Sequence, residues 1–359
     1  MAVDDFRCFA SARLEPDPEG VTAVVGPNGS GKTSLLEALA YLGTQRSFRG
    51  ATRETMVRRG AERAIVRAEF VRDGSPVLVE AELALEGRSR AQVNRQAVRS
   101  RHQLAEAVAV TVFSPEDLGV VQGSPGRRRE LLDEALDLVA PGASAAAEEV
   151  ERVLRQRGAL LRQSGGRLSA DVETTLEVWD DRLAAAGTRL ADAREALVGS
   201  LGDPVAVAYG ALAGHEGPRP SEVTLAYRRS WMGHLGVALR AARHDDLRRG
   251  VSTVGPHRDE LEILLDGGPA RSEASQGEQR CLALALRLGL HRLVTEREGR
   301  PPILLLDDVF SELDPARSRA LVHQLPAGQT LLTTAVPLPE DMAVAAVVDV
   351  RRLATEGAR

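Results

Sequence analysis

One octapeptide combines residue types and spacing that suit a single chemistry. Gly26-Pro27-Asn28-Gly29-Ser30-Gly31-Lys32-Thr33 has the GxxxxGK[ST] spacing of a phosphate-binding loop. In such a loop the backbone N–H groups and the N-terminus of the following helix surround phosphate oxygens. The Lys32 ammonium is then expected to reach the β- and γ-phosphates, and the Thr33 hydroxyl to ligate Mg2+. Composition sharpens the point. Lys32 is the only lysine among 46 basic residues, all the others being arginine. A compact ammonium is not interchangeable with a planar guanidinium, so the bias toward arginine gave way at this position. A chance match to this spacing in a chain of this length has a probability of about 1%.

Two further stretches carry polar groups in a pattern. ILLLDDVFSELD at Ile303–Asp314 is a continuous apolar run ending in acid, the way a buried parallel strand delivers a carboxylate to its C-terminal edge. Asp307 is expected to hold Mg2+ through water, with Asp308 next to it. EASQGEQR at Glu273–Arg280 precedes a helical pattern. Ser275 as N-cap with Glu278 three residues on reads as a capping box, and a helix N-terminus of this kind can also be offered to a phosphate.

The order of these motifs resembles the head of the ABC/SMC ATPases: phosphate loop, long insertion, SQGEQR, acid-ended strand. That resemblance implies ATP as the nucleotide and Asp308 as the carboxylate that polarises the attacking water beside Lys32. It also implies that Ser275 and Gly277 touch the γ-phosphate held by a second copy, and that Ser311–Asp314 is the D-loop. Within the class the chain resembles the RecF family over nearly its full length. The resemblance rests on DFRCF at Asp5–Phe9, RSFRG at Arg46–Gly50, FSPEDL at Phe113–Leu118, GSPGRRRELLD at Gly123–Asp133, RQRGALLR at Arg155–Arg162, VWDDRLAAAG at Val178–Gly187 and GPHRDEL at Gly255–Leu261. It implies a DNA-binding ATPase of recombinational repair at stalled forks and gaps that dimerises on ATP and works with RecO and RecR to load RecA.

Three features depart from these patterns. Glu278 stands where the ABC signature has glutamine. Thr333 and Thr334 stand where many ABC proteins have a switch histidine, and Gln122 is a weak candidate for the Q-loop. Slow hydrolysis is therefore expected. Only Met1–Asp4 precede DFRCF, where the family carries a complete strand, which leaves either a shortened edge strand or a start further upstream. A transporter's nucleotide-binding subunit shares the motif order, but the 127–250 arm and LLTTA argue against it, and the short arm with GPHRDEL and FSPEDL argues against a Rad50-type head. A clamp that binds ATP without turnover is the third alternative, made credible by aspartate rather than glutamate at 308.

These side chains need elements to position them. Val21–Val25 reads as a strand leading into the glycine loop, and Ser34–Leu42 as the helix after it. Stretches near 63–71, 77–85 and 107–113 read as strands of a side sheet over that helix. Residues 146–163 and about 171–199 read as two helices of a hairpin, the second capped by Ser169 or Asp171. Leu176, Trp179, Leu183, Ala186, Leu190, Ala193 and Leu197 form its heptad seam. Strands at Glu260–Leu265, Ile303–Leu306, Thr330–Thr334 and near 344–350 follow, with helices at about 276–297 and 315–324. The expected architecture is α/β: a discontinuous ABC/SMC-type P-loop head of residues 1–125 plus 251–359, with a side β-sheet and an inserted helical arm domain at 126–250.

The 27% charged and 43% hydrophobic composition suits a globular core. Aromatics are only 3% and the net charge is −5, so base stacking and general attraction to DNA are both weak. Arg127–Arg129 and the arginine-rich stretch 238–249 are the candidate DNA-facing patches, each equally readable as a solvated helix face. Two distant cysteines and no signal-like start point to the cytoplasm. No apolar run of about 18 residues suggests a membrane span. The sequence predicts that Lys32→Arg abolishes ATP-dependent function while the fold survives. Nucleotide titration together with circular dichroism checks this, and a variant that binds ATP like the parent would contradict it.

Overall fold

The computed structural model describes residues 1–213 and 221–353. Its strands among the described residues are β1 (Ala2–Phe6), β2 (Phe9–Arg13), β3 (Val21–Val25), β4 (Arg63–Arg72), β5 (Ser75–Ala84), β6 (Arg90–Val93), β7 (Gln96–Ala97), β8 (Val110–Phe113), β9 (Val223–Arg228), β10 (Glu260–Leu265), β11 (Gly268–Pro269), β12 (Ile303–Asp307), β13 (Thr330–Thr334) and β14 (Ala346–Asp349). Its helices are α1 (Lys32–Thr44), α2 (Arg53–Met56), α3 (Arg101–Ala107), α4 (Leu118–Gln122), α5 (Pro125–Val139), α6 (Pro141–Gln163), α7 (Ala170–Ala213), α8 (Leu235–Arg249), α9 (Ala270–Glu273), α10 (Gln276–Glu298), α11 (Pro315–Gln324) and α12 (Val350–Leu353). Two compact units result. The first holds Met1–Leu118, Pro204–Pro220 and Gln276–Arg359, the second Gly119–Asp203 and Ser221–Ser275.

The first unit is built on a parallel sheet in the order β14-β3-β13-β12-β8. Strands covered on both faces read as unbroken apolar runs, and Leu304, Leu305 and Leu306 of β12 are all buried. Leu35, Leu36, Leu39 and Leu42 of α1 pack with Val24, Val110, Leu305 and Leu331 in one core. A second, antiparallel sheet runs β2-β1-β4-β5-β6-β7. Here burial alternates, with Ala64, Val66 and Ala68 of β4 and Val79, Ala81 and Leu83 of β5 inward, as one-sided sheets require. Its β4–β5 hairpin turns through Asp73-Gly74, both at positive φ, the chemistry of a two-residue hairpin loop.

The α/β architecture, with its side sheet and inserted helical unit, matches the expectation, and several placements correct it. The strand expected near 107–113 belongs to the parallel sheet, where Ile303↔Val110 through Leu306↔Phe113 pair it with β12. An apolar run marks a strand without specifying its neighbours. The first strand is interior, between β2 and β4. The boundaries expected at 126 and 251 fall inside the second unit, because β10 pairs along its whole length with β9, a strand the helical reading of 126–250 did not contain.

The second unit is organised by buried charge. Leu161, Leu176 and Leu247, from α6, α7 and α8, form a small apolar cluster. Beside it the fully buried Arg157 donates to Asp180 (2.9 Å), Asp246 (2.7 Å) and Ser252 (2.8 Å). Arg243 meets the other Asp180 oxygen at 2.8 Å, and Thr253 holds Asp246 through its N–H and hydroxyl. The seam residues Leu176, Leu183, Ala186, Leu190 and Leu197 are buried, and so are Asp180 and Arg194 along one flank. Ser169 rather than Asp171 caps α7, accepting from the Val172 N–H at 3.4 Å.

Helix α7 runs past the expected end near 199, through Pro204, to Ala213. An 18-residue window of it, of mean hydropathy 1.4, is long and apolar enough to cross a membrane by length and composition, which corrects the expectation of no such stretch. Part of it packs inside the protein: Leu201, Val205, Ala208, Tyr209 and Leu212 are buried, whereas Val207 is exposed. Gly289 of α10 makes room for Val205, whose Cγ2 would stand 2.7 Å from an added Cβ.

Removing one partner of a buried ion pair leaves an uncompensated charge and costs about 3–5 kcal/mol. Arg157→Ala should therefore destabilise the protein by roughly 3 kcal/mol, since Asp180 and Asp246 keep Arg243 and Thr253. The exposed neighbour variant Arg155→Ala should stay within about 0.5 kcal/mol of the parent. Urea denaturation followed by circular dichroism measures both.

Candidate nucleotide-binding site

The glycine loop turns between the carboxyl end of β3 and α1. Gly29 and Gly31 adopt φ of 77° and 99°, the left-handed region that glycine enters without cost. Gly31 is constrained a second way, since a Cβ there would lie 2.6 Å from both Cys8 Sγ and Phe9 Cζ. The DFRCF turn is thus the wall against which the loop is moulded. Lys32 is buried, and its Nζ donates to the Gly26 and Pro27 carbonyls at 2.9 and 3.0 Å. Ser30 Oγ donates to Pro27 O at 2.7 Å. Asn28, Gly29, Gly31, Lys32 and Thr33 line an open cleft of about 830 Å³ together with Asp308.

Parallel pairing of β3, β13 and β12 brings three chemistry-bearing positions to one sheet edge. Asp307 is buried at the end of β12, and two hydroxyls converge on its Oδ1: Thr33 at 2.8 Å and Thr333 at 2.6 Å. Burial pushes the Asp307 carboxyl above its ordinary range, the two hydroxyl bonds pull it back, and the charges of Glu116 and Asp308 push it up again. A carboxylate so placed favours a cation at the same spot. Asp308 follows in the left-handed region, φ 47°, its N–H shared between the Thr333 carbonyl and hydroxyl. Among the described residues its Oδ1 is buried with no hydrogen-bond partner, an orphan acceptor beside Thr33 and Asp307. This donor set of hydroxyl and carboxylate oxygens fits a hard, water-retaining ion such as Mg2+.

Other predicted residues are placed differently. Ser275 is exposed just ahead of α10, and Gly277 lies in its first turn against the Arg317 guanidinium of α11 and does not line the cleft. Asp314 caps α11, accepting from the Ala316 and Arg317 N–H groups. Gln122 ends α4 in the second unit. The expected DNA-facing patch at Arg127–Arg129 is largely internal: Arg128 is a buried fork onto Glu260 at 2.6 and 3.0 Å, and Arg129 donates to the Asp259 carbonyl at 2.6 Å. In the second patch Arg243 is buried, which leaves Arg240, Arg248 and Arg249 exposed. His257 sits in a tight turn with Nε2 2.9 Å from Ser252 O.

Glu37 also belongs to the framework of the site. It is wholly buried on α1, gripped by Arg7 through two bonds of 2.7 Å and by the Ser47 hydroxyl. Arg7 also donates to Thr55 O at 3.0 Å. One buried carboxylate therefore joins DFRCF, RSFRG and the loop-bearing helix. The signal was available, since a glutamate in SLLEALAYL falls where the helix is otherwise apolar.

The family model described as "RecF/RecN/SMC N terminal domain" matches residues 1–336. The chain is 43% identical over 348 residues to a protein of Streptomyces avermitilis called "DNA replication and repair protein RecF", covering 93% of this chain and 92% of that one. A Frankia alni protein of the same description is 41% identical over 351 residues, covering 94% and 92%. Among solved structures it is similar to a recombination mediator protein RecF-ATP in the RecFOR pathway, with a TM-score of 0.82 and 28% identity over 93% of this chain and 92% of that one. An Smc head domain derived from Pyrococcus furiosus, at a TM-score of 0.52 and 14% identity over 93% and 88%, shares the fold.

The two cysteines report on the cleft. Cys8 is exposed and lines it, whereas Cys281 is buried. Native protein should therefore titrate one fast thiol, the second appearing only on unfolding, because reaction requires an accessible thiolate. A nucleotide seated on the loop should slow labelling of Cys8 about tenfold or more, roughly the occupancy expected at ten times Kd. Unchanged labelling at saturating nucleotide would place the ligand elsewhere.

Proposed function

The chain belongs to the RecF family, and on that premise we propose that it is an ATP-binding protein of DNA replication and recombinational repair whose working form is an ATP-closed homodimer. The observation that carries the reading is the convergence of Lys32, Thr33, Asp307 and Asp308 at one edge of the parallel sheet. Gly26–Thr33 would surround the phosphates with backbone N–H groups, with Gly26, Pro27 and Ser30 shaping the loop. Lys32 would turn its ammonium from the loop carbonyls to the β- and γ-oxygens. Thr33 and Asp307 would hold Mg2+, which neutralises charge on the transferring phosphate. Asp308 orients the attacking water. Its side chain is one methylene shorter than glutamate, which supports slow turnover.

The second half of the site comes from the partner copy. Exposed Ser275 and the first turn of α10 at Gly277 would offer N–H groups to the γ-phosphate held by the other copy. A closed dimer would also double any arginine surface presented to DNA, such as Arg240, Arg248 and Arg249. Phosphate contacts dominate such binding, so it would be weak at a net charge of −5 and strongly salt-dependent. We further propose cytoplasmic action with RecO and RecR in loading RecA at gaps, as the family resemblance implies.

Light scattering tests the dimer. The parent should be monomeric alone and dimeric with ATP, while Ser275→Arg should stay monomeric with nearly unchanged ATP affinity. Dimerisation of that variant to the same extent would refute the shared site.

A further inference from the structure

FSPEDL has no part in the account above, yet the fold puts it beside the acid pair. In the parallel register of β8 and β12, Phe113 stands opposite Leu306. The turn leaving β8 therefore emerges next to Asp307 and Asp308. That turn, Ser114-Pro115-Glu116-Asp117, is pinned at both ends. The Ser114 N–H donates to Asp117 Oδ2 at 2.8 Å, and Arg287 of α10 grips Asp117 Oδ1 through two nitrogens at 2.9 and 2.6 Å. Ser114 and Asp117 are buried, and Pro115 fixes the backbone between them.

Glu116 is what this turn displays. It is exposed, and its charge acts on the Asp307 carboxyl. Its carboxylate approaches Arg49 of RSFRG at 3.8 Å, and Arg49 lines the cleft with Lys32, Thr33 and Asp308. Holding a third carboxylate rigidly beside two others is electrostatically unfavourable, and a divalent cation at the site reverses the sign. Mg2+ keeps several of its waters when bound, and carboxylates around such an ion accept hydrogen bonds from them.

We propose that Glu116 is a positioning residue for the metal end of the cleft, accepting hydrogen bonds from the water ligands of a divalent ion held by Thr33 and Asp307. This rests on the nucleotide site proposed above. Arg49 is then a neighbour of Glu116 and not the means by which it acts.

The test uses the full-length protein, a non-hydrolysable ATP analogue and Mn2+ followed by electron paramagnetic resonance. Glu116→Gln is isosteric and exposed, so the fold is kept. It should weaken Mn2+ binding about tenfold, the lower end of what loss of an outer metal-orienting group produces. Metal-free affinity for the analogue should not move. Unchanged Mn2+ affinity in Glu116→Gln overturns the proposal, and so does an equal loss of metal-free analogue affinity in that variant, which would make Glu116 a mere support for the cleft wall. Absence of analogue binding by the parent would overturn the nucleotide reading itself and this proposal with it.

Discussion

The buried carboxylate of Asp307 sets the terms for the ATPase unit. A carboxylate withdrawn from water at the end of an apolar strand costs several kcal/mol unless it is compensated. Compensation comes from two hydroxyls, Thr33 on the helix after the glycine loop and Thr333 on the neighbouring strand. Each bond fixes one element relative to β12, so satisfying Asp307 places the loop, the acid strand and β13 in a common register. The same threonine holds the Asp308 backbone through its carbonyl and hydroxyl, and the left-handed conformation of Asp308 directs its side chain to the cleft.

A second buried acid extends this logic to the side sheet. Glu37, on the same helix as Thr33, is met by Arg7 and Ser47. The β1–β2 turn carrying Arg7 also supplies Cys8 and Phe9, which close against Gly31. The glycine loop is thus held from both sides by acids on or facing α1. In the helical unit the same device recurs around Arg157, Asp180 and Asp246. A protein with few aromatic residues relies on paired buried charge to specify how its helices meet.

Much of this was legible in the sequence. Val21–Val25, Glu260–Leu265, Pro315–Gln324 and Thr330–Thr334 were bounded by glycine, proline or acid and came out with the expected limits. What escaped was long-range pairing. Val110–Phe113 reads as a strand, but nothing local says that β12, nearly two hundred positions later, is its neighbour. Arg128 looks like part of a solvated RRR face until Glu260 is brought to it, and β9 is invisible inside a helical stretch until β10 returns to pair with it. Thr333 was read as the absence of a histidine, whereas in three dimensions it is the second support of Asp307.

Asp307, with Thr33 and Thr333, is proposed as a metal-dependent phosphate site. It is tested most directly by titrating ATP calorimetrically into the parent and into Asp307→Asn, with Mg2+ and with a chelator. The account predicts that Mg2+ tightens ATP binding to the parent and leaves binding to Asp307→Asn unchanged. An equal effect of Mg2+ on both proteins would contradict it.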